Sequence, residues 1–312
     1  LLRILLTPLS WLYELGWFSY RAIYRTGLKK AAHPHRPIIC VGNLTVGGSG
    51  KTPLTLHLAD IVVSTGRKVV ISCSGYGSPR QEGAELAPAG SLNPSEWGDE
   101  PAMIRWFMPD VPIVVGRDRV RAAEICTSDY PFSVLLLDDG FQHLRLQKDF
   151  AIVIDEPNPF NMRCLPAGPY REPSSASKRA HLTVPLDWPL ITRSAGFLDE
   201  KGNTCDSLSE VEVGLLCAIG SPDRFESSLR QQNLKIRVAR FLQDHDPLTA
   251  GNLFEDFPLE LPIVVTPKDW IKIRERSDLG ARRFYIAMRT VEFENPEKFT
   301  EWIDKILDEI DA

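Results

Sequence analysis

One short stretch, Gly47-Gly48-Ser49-Gly50-Lys51-Thr52, constrains this chain more than any other. It stands between an apolar run at residues 37–41 and a helical pattern at residues 54–63. Strand, glycine loop, Lys-Thr and helix is the local context of a phosphate-binding P-loop. Glycines let backbone N–H groups turn inward around phosphate oxygens. A lysine ammonium then places a point charge on the outer phosphates, and the next hydroxyl can hold Mg²⁺. The start of a helix adds partial positive charge. The expected ligand is a nucleoside triphosphate with Mg²⁺, cradled by Thr45, Val46, Gly47, Gly48, Ser49, Gly50, Lys51 and Thr52.

Further apolar runs at residues 68–72, 111–115, 132–137 and 151–154 read as strands, separated by helical patterns at 102–107 and 117–126. Strands buried on both faces and alternating with helices imply a parallel, doubly wound sheet, whose ligands sit beyond the C-terminal strand ends. From about residue 185 the runs shorten: 213–219, 236–241, 263–266 and 283–288 read as strands, and 296–310 as a charged amphipathic helix. The expected architecture is α/β. It has a P-loop NTPase-like, doubly wound, mainly parallel sheet over 36–185, a smaller C-terminal α/β lobe over 186–312 that closes the active-site cleft, and an N-terminal amphipathic helix within 1–35.

That first segment is strongly apolar, with polar residues at helical spacing (Arg3, Thr7, Ser10, Glu14, Arg21, Arg25). Pro8, Glu14 and Gly16 interrupt it, so it lacks the ~20 uncharged residues of a spanning helix. It also lacks a signal-peptide cleavage pattern. A helix with so wide an apolar face must bury it. Its Trp and Tyr residues with Arg21, Arg25, Lys29 and Lys30 suit a membrane interface, and packing on the protein's own core suits the pattern equally. A net charge of −5 argues against a general nucleic-acid binder. The six scattered cysteines form no Cys-x-x-Cys pair, which argues against zinc.

Asp138 and Asp139 follow an apolar strand, as a Walker B acid does. Two adjacent carboxylates repel unless a cation sits nearby, so both are metal candidates, the alternative being a strand-end pair in solvent. Asp99, in Gly98-Asp99-Glu100-Pro101, is placed either as a general base for a hydroxyl acceptor or as a turn residue. His245 either tunes a catalytic acid or caps a loop. His143 either reaches the Asp138-Asp139 cleft or serves structure. Arg171 and Glu172 either bind phosphate and metal or pair with each other.

Taken in order, these segments resemble the tetraacyldisaccharide 4′-kinase family of lipid A biosynthesis. The motifs are Val41-Gly42-Asn43-Leu44-Thr45-Val46 running into the P-loop, Gly75-Tyr76-Gly77, Gly98-Asp99-Glu100-Pro101, Asp138-Asp139-Gly140-Phe141-Gln142-His143, Leu165-Pro166-Ala167-Gly168-Pro169 with Arg171-Glu172-Pro173, Asp244-His245, and Thr266-Pro267-Lys268-Asp269. The resemblance implies transfer of the ATP γ-phosphate to the 4′-hydroxyl of a tetraacyldisaccharide 1-phosphate, forming lipid IVA. The expected location is the cytoplasmic face of a bacterial inner membrane, with no obligate protein partner. It implies Asp99 as general base assisted by His245, and Lys51 and Thr52 on phosphate and Mg²⁺. Asp138, Asp139 and Glu172 lie around the metal, with Gln142, His143 and Arg171 near phosphate or substrate. It also tips the N-terminal helix towards the membrane, where an amphiphilic acceptor is met. Three positions depart from the family pattern: Thr45 at the first Walker glycine, His181 where an Asp is usual, and Ser74 where an Arg precedes Gly-Tyr-Gly. Arg80 is the candidate to replace that charge. A membrane-recruited ATPase switch of the MinD type has a similar loop but carries Lys where Val46 stands. An inactive nucleotide- or lipid-binding paralogue is the third reading.

Overall fold

The computed structural model describes residues 2–47, 50–155, 159–205 and 208–311. Gly48 and Ser49 of the expected cradle lie outside them. The first half is a seven-stranded sheet made of β1 (Ile38–Asn43), β2 (Lys68–Cys73), β3 (Glu85–Leu86), β4 (Ile113–Val115), β5 (Ser133–Asp138), β6 (Phe150–Ile154) and β7 (Leu182–Val184), in the order 3-4-2-5-1-6-7. Only the β3–β4 pair is antiparallel. β1 is buried along its whole length. Its alternate residues feed two cores: Ile39 and Val41 face one layer, Ile38 and Cys40 the other. This is the continuous apolar strand that a sheet covered on both faces requires.

The N-terminal helices are α1 (Leu2–Leu5) and α2 (Thr7–Arg25); α3 (Lys51–Ser64), α4 (Pro94–Trp97), α5 (Asp99–Phe107) and α6 (Arg119–Asp129) belong to the first half. The second half is a six-stranded sheet of β8 (Leu190–Asp199), β9 (Thr204–Cys205), β10 (Glu212–Cys217), β11 (Lys235–Phe241), β12 (Ile263–Val265) and β13 (Phe284–Phe293), in the order 11-10-12-13-8-9. Its helices are α7 (Pro222–Arg230) and α8 (Pro267–Ile273), and α9 (Pro296–Asp311) ends the described chain. The expected doubly wound α/β architecture with a second, smaller sheet is therefore present.

Two features depart from the sequence reading. β13 runs on to Phe293 and pairs antiparallel with β8, a ten-residue strand that was not anticipated. β8 reads Leu-Ile-Thr-Arg-Ser-Ala-Gly-Phe-Leu-Asp; its middle, Thr192 to Ala195, is exposed and only Phe197 is buried, so it carries no run of buried apolar residues to betray it. The chain leaves the first half along β8 and returns along β13. Phe293, Phe299, Ile303 and Leu307 then join the core of Leu54, Leu58 and Ile61. The helix that follows the second sheet in sequence thus packs on the first.

Candidate active site

Close backbone packing brings the P-loop strand against the acidic turn. A side chain at Gly42 would meet the Phe141 Cβ at 2.4 Å, so only glycine lets β1 pass the Asp-Asp-Gly-Phe turn. Gly50 takes φ +82° at the start of α3, where Lys51 and Thr52 open the helix. Thr52 Oγ1 donates to Asp138 Oδ2 at 2.9 Å, and Thr55 Oγ1 donates to Asp138 Oδ1 at 3.0 Å. Arg119 is buried and donates to the Asp138 carbonyl at 2.8 Å and to Ser72 Oγ. Asp139 has φ +55°, a sparsely populated conformation for an aspartate. It turns its carboxylate to Lys51 Nζ at 3.6 Å and to Arg171 Nη1 at 2.9 and 2.8 Å.

The two adjacent acids titrate in opposite directions. Burial, then the Glu100 carboxylate, pushes Asp138 up to about 7. Burial acts on Asp139 as well, but Lys51 and Arg171 outweigh it and hold the carboxyl below its usual range. Asp139 is thus committed to cations of the protein. Asp138, held only by hydroxyls and repelled by Glu100, fits a cation such as Mg²⁺.

Glu172 is fully buried. Burial raises it, while Arg179 at 2.5 Å and Gln142 Nε2 at 3.1 Å oppose the rise. The Gln142 amide also donates to Asn43 O at 2.8 Å, so it braces the base of the P-loop. Val46 N–H donates to Pro169 O at 2.8 Å, and Thr45 bridges to Tyr170. That N–H is therefore spent on bracing the loop rather than turned towards phosphate as expected. Burial, with Arg119 and Lys148 nearby, pushes His143 down to about 4, so the ring is neutral near pH 7.

Asp99 opens α5 rather than sitting in a free turn. Gly98 at φ +97° permits the bend, and the paired acids Asp99 and Glu100 suit the positive end of the helix. Three groups from the second half surround it. Asp99 Oδ2 lies 2.9 Å from Lys272 Nζ, 3.4 Å from His245 Nδ1 and 3.8 Å from Lys268 Nζ. His245 has φ +65°, and its ring meets Tyr76 edge-on at 5.3 Å. A cavity of about 350 Å³ opens here, lined by Tyr76, Asn93, Ser95, Asp99, His245 and Lys272 among others. Glu100 links the two clusters: burial and Asp139 raise it, while Lys268 and Lys51 pull the other way.

Sequence reading gave no role to Glu100 or Lys268, though both stand in quoted motifs, and did not single out Thr55, Arg119 or Lys272. Lys268 and Lys272 do carry a signal: four residues apart on one helix, they share a face. Arg80 does not reach the site. It donates to Glu85 and Glu96 and stacks over Trp97 at 4.9 Å. His181 accepts from Ala151 N and stacks on Phe150, a structural role.

The N-terminal helix is tied to the same loop as Arg171. Ser10 Oγ donates to Cys164 O at 2.8 Å and accepts from Ala167 N at 3.0 Å. Tyr13 Oη donates to the Arg171 carbonyl at 2.6 Å. The polar edge of α2 thus faces the protein. Ile4, Leu9, Trp11, Leu12, Leu15 and Phe18 face outward, each more than half exposed.

Known proteins resemble this chain along most of its length. A family model described as tetraacyldisaccharide-1-P 4′-kinase, LpxK, matches residues 2–308. A tetraacyldisaccharide 4′-kinase from Shewanella baltica is 34% identical over 287 residues, covering 88% of this chain and 84% of that protein. One from Pelobacter propionicus is 32% identical over 97% of this chain and 92% of its own length. The crystal structure of "apo" form LpxK from Aquifex aeolicus in complex with ATP superposes with a TM-score of 0.83 at 27% identity, covering 98% of this chain and all of that one.

Proposed function

The chain belongs to the tetraacyldisaccharide-1-P 4′-kinase family, and from that premise we propose how its residues carry out the transfer of the ATP γ-phosphate to the 4′-hydroxyl of a tetraacyldisaccharide 1-phosphate, the step that forms lipid IVA. The observation that carries the reading is the lining of the cavity, where the Asp99 carboxylate stands 2.9 Å from Lys272 and 3.4 Å from His245.

Lys51 holds the outer phosphates of ATP and offsets the charge that develops on them. Arg171, fixed by Asp139, presents its remaining N–H groups to the same phosphates. Thr52 and Asp138 hold Mg²⁺, with Glu172 in the surrounding shell. An ion held there would supply positive charge against the phosphates. Asp99 accepts the proton of the 4′-hydroxyl as the new O–P bond forms and ADP departs, with His245 orienting that carboxylate.

The apolar face of α1–α2 sits on the cytoplasmic surface of the inner membrane. Its polar edge is turned inward and its apolar residues outward, the reverse of a helix packed on its own core. Phe160, 93% exposed, lies beside Arg3 at 5.8 Å and extends that face. Among the described residues no helix is long and apolar enough to cross a membrane. An enzyme resting there meets its amphiphilic acceptor at the surface. The division into a helix within 1–35, a core over 36–185 and a cleft-closing lobe over 186–312 accompanies this reading, with α9 packed back on the core.

Incubating the protein with Mg-ATP and tetraacyldisaccharide 1-phosphate is expected to give phosphorylated lipid. ATP hydrolysis with no labelled lipid would support the switch reading instead.

A further inference from the structure

We propose that Lys272 is a positioning residue for Asp99, holding one carboxylate oxygen so that the other meets the acceptor hydroxyl. The proposal rests on the kinase reading above and adds a residue to it. Lys272 is 3% exposed, and its ammonium is 2.9 Å from Asp99 Oδ2. A lysine buried this far is costly unless paired. The closest approaches of His245 and Lys268 are to the same oxygen, Oδ2. Lys272 at 2.9 Å is the close partner, and His245 at 3.4 Å and Lys268 at 3.8 Å add attraction on the same side, which biases the rotation of the carboxylate about its stem. The geometry leaves Oδ1 as the oxygen that receives the hydroxyl proton.

The support behind Lys272 is rigid. Asp269, fully buried, accepts from Thr266 Oγ1 at 2.6 Å and from Ala218 N at 3.2 Å, which pins α8 to the end of the second sheet. Lys272 also donates to Asp246 O at 2.8 Å, one residue beyond His245. A single ammonium therefore ties the His245 loop, α8 and the start of α5 together across the two halves. His245, left-handed at φ +65°, is held in its strained conformation beside that tie.

The test is a double-mutant cycle in the full chain with Mg-ATP and tetraacyldisaccharide 1-phosphate. Lys272→Met should lower kcat about 100-fold, with KM for both substrates within about 3-fold. Lys272→Arg, which keeps the buried charge, should recover at least about 10-fold of that loss. In an Asp99→Asn background, Lys272→Met should change kcat by less than about 3-fold, because its only route of action is gone. Wild-type kcat in Lys272→Met would overturn the proposal. So would an undiminished loss in the Asp99→Asn background, or arginine doing no better than methionine. Should methionine lower the melting temperature sharply, Lys272→Arg with and without Asp99→Asn carries the same cycle: a kcat loss that disappears in the Asp99→Asn background supports the proposal, and a loss that persists there overturns it. Wild-type turnover in Asp99→Asn alone would sink the general-base reading, a result separable from any of these.

Discussion

The phosphate side and the acceptor side of the cleft are built by different means. On the phosphate side every group comes from the first sheet and its loops, and most are closed into short hydrogen bonds. Thr52 and Thr55 hold Asp138, and Arg171 clasps Asp139. On the acceptor side Asp99 comes from α5, whereas His245, Lys268 and Lys272 come from the second half. The first cluster is tied together within the first half, whereas the second joins groups from both halves.

The largest test of that contrast is Lys51→Ala. It removes a fixed charge from the developing phosphoryl group, and labelled-lipid formation should fall about 10³-fold. A milder loss would mean that Arg171 alone suffices on this side. Next, Trp11→Ser with Phe18→Ser should lower vesicle partitioning at least about 10-fold, since each buried large apolar side chain contributes about 1.5–3 kcal/mol. Melting of the protein should change little, because both side chains are mostly exposed. Sedimentation with vesicles equal to wild type would remove the membrane surface from the account.

Ser10→Ala should do the opposite. It strips partners from a buried carbonyl and a buried N–H, at a cost of about 1–3 kcal/mol in denaturant unfolding, with vesicle binding retained. The smallest effect is confined to acid. His143 is depressed to about 4, below the ordinary value near 6.5, so its neutral form is the one the fold favours. Its contribution to stability is complete above about pH 6.5 and is lost as pH falls through about 4. His143→Gln should flatten the unfolding free energy over that window, and an unchanged slope would remove His143 as its source.

The same contrast explains what could be read from the sequence. Lys51, Thr52, Asp138 and Asp139 sit at the ends of adjacent strands, so contiguous motifs and strand periodicity place them together without knowledge of tertiary packing. Asp99 and His245 were candidates whose roles depended on the family resemblance, because a lone acid before proline and a lone loop histidine have structural roles just as ordinary. Lys272 and Glu100 look like surface charges until α5 and α8 are brought face to face. The α2 pattern showed an amphipathic helix but not which face would turn inward, since periodicity is indifferent to that choice. β8 escaped because its apolar residues are split by the exposed stretch Thr192 to Ala195 and only Phe197 is buried. Ser74 shows the reverse limit: the departure was visible in the sequence, yet only the Glu85 and Glu96 contacts reveal that Arg80 is engaged elsewhere.

Whether the two sides act on one phosphoryl group is decided most directly by measuring Mg-ATP affinity and single-turnover lipid phosphorylation together in Asp99→Asn. Transfer should fall by about 10²–10⁴, while the ATP dissociation constant stays within about 2-fold of wild type. Undiminished transfer, or ATP binding lost in step with it, would contradict the assignment of Asp99 to the acceptor.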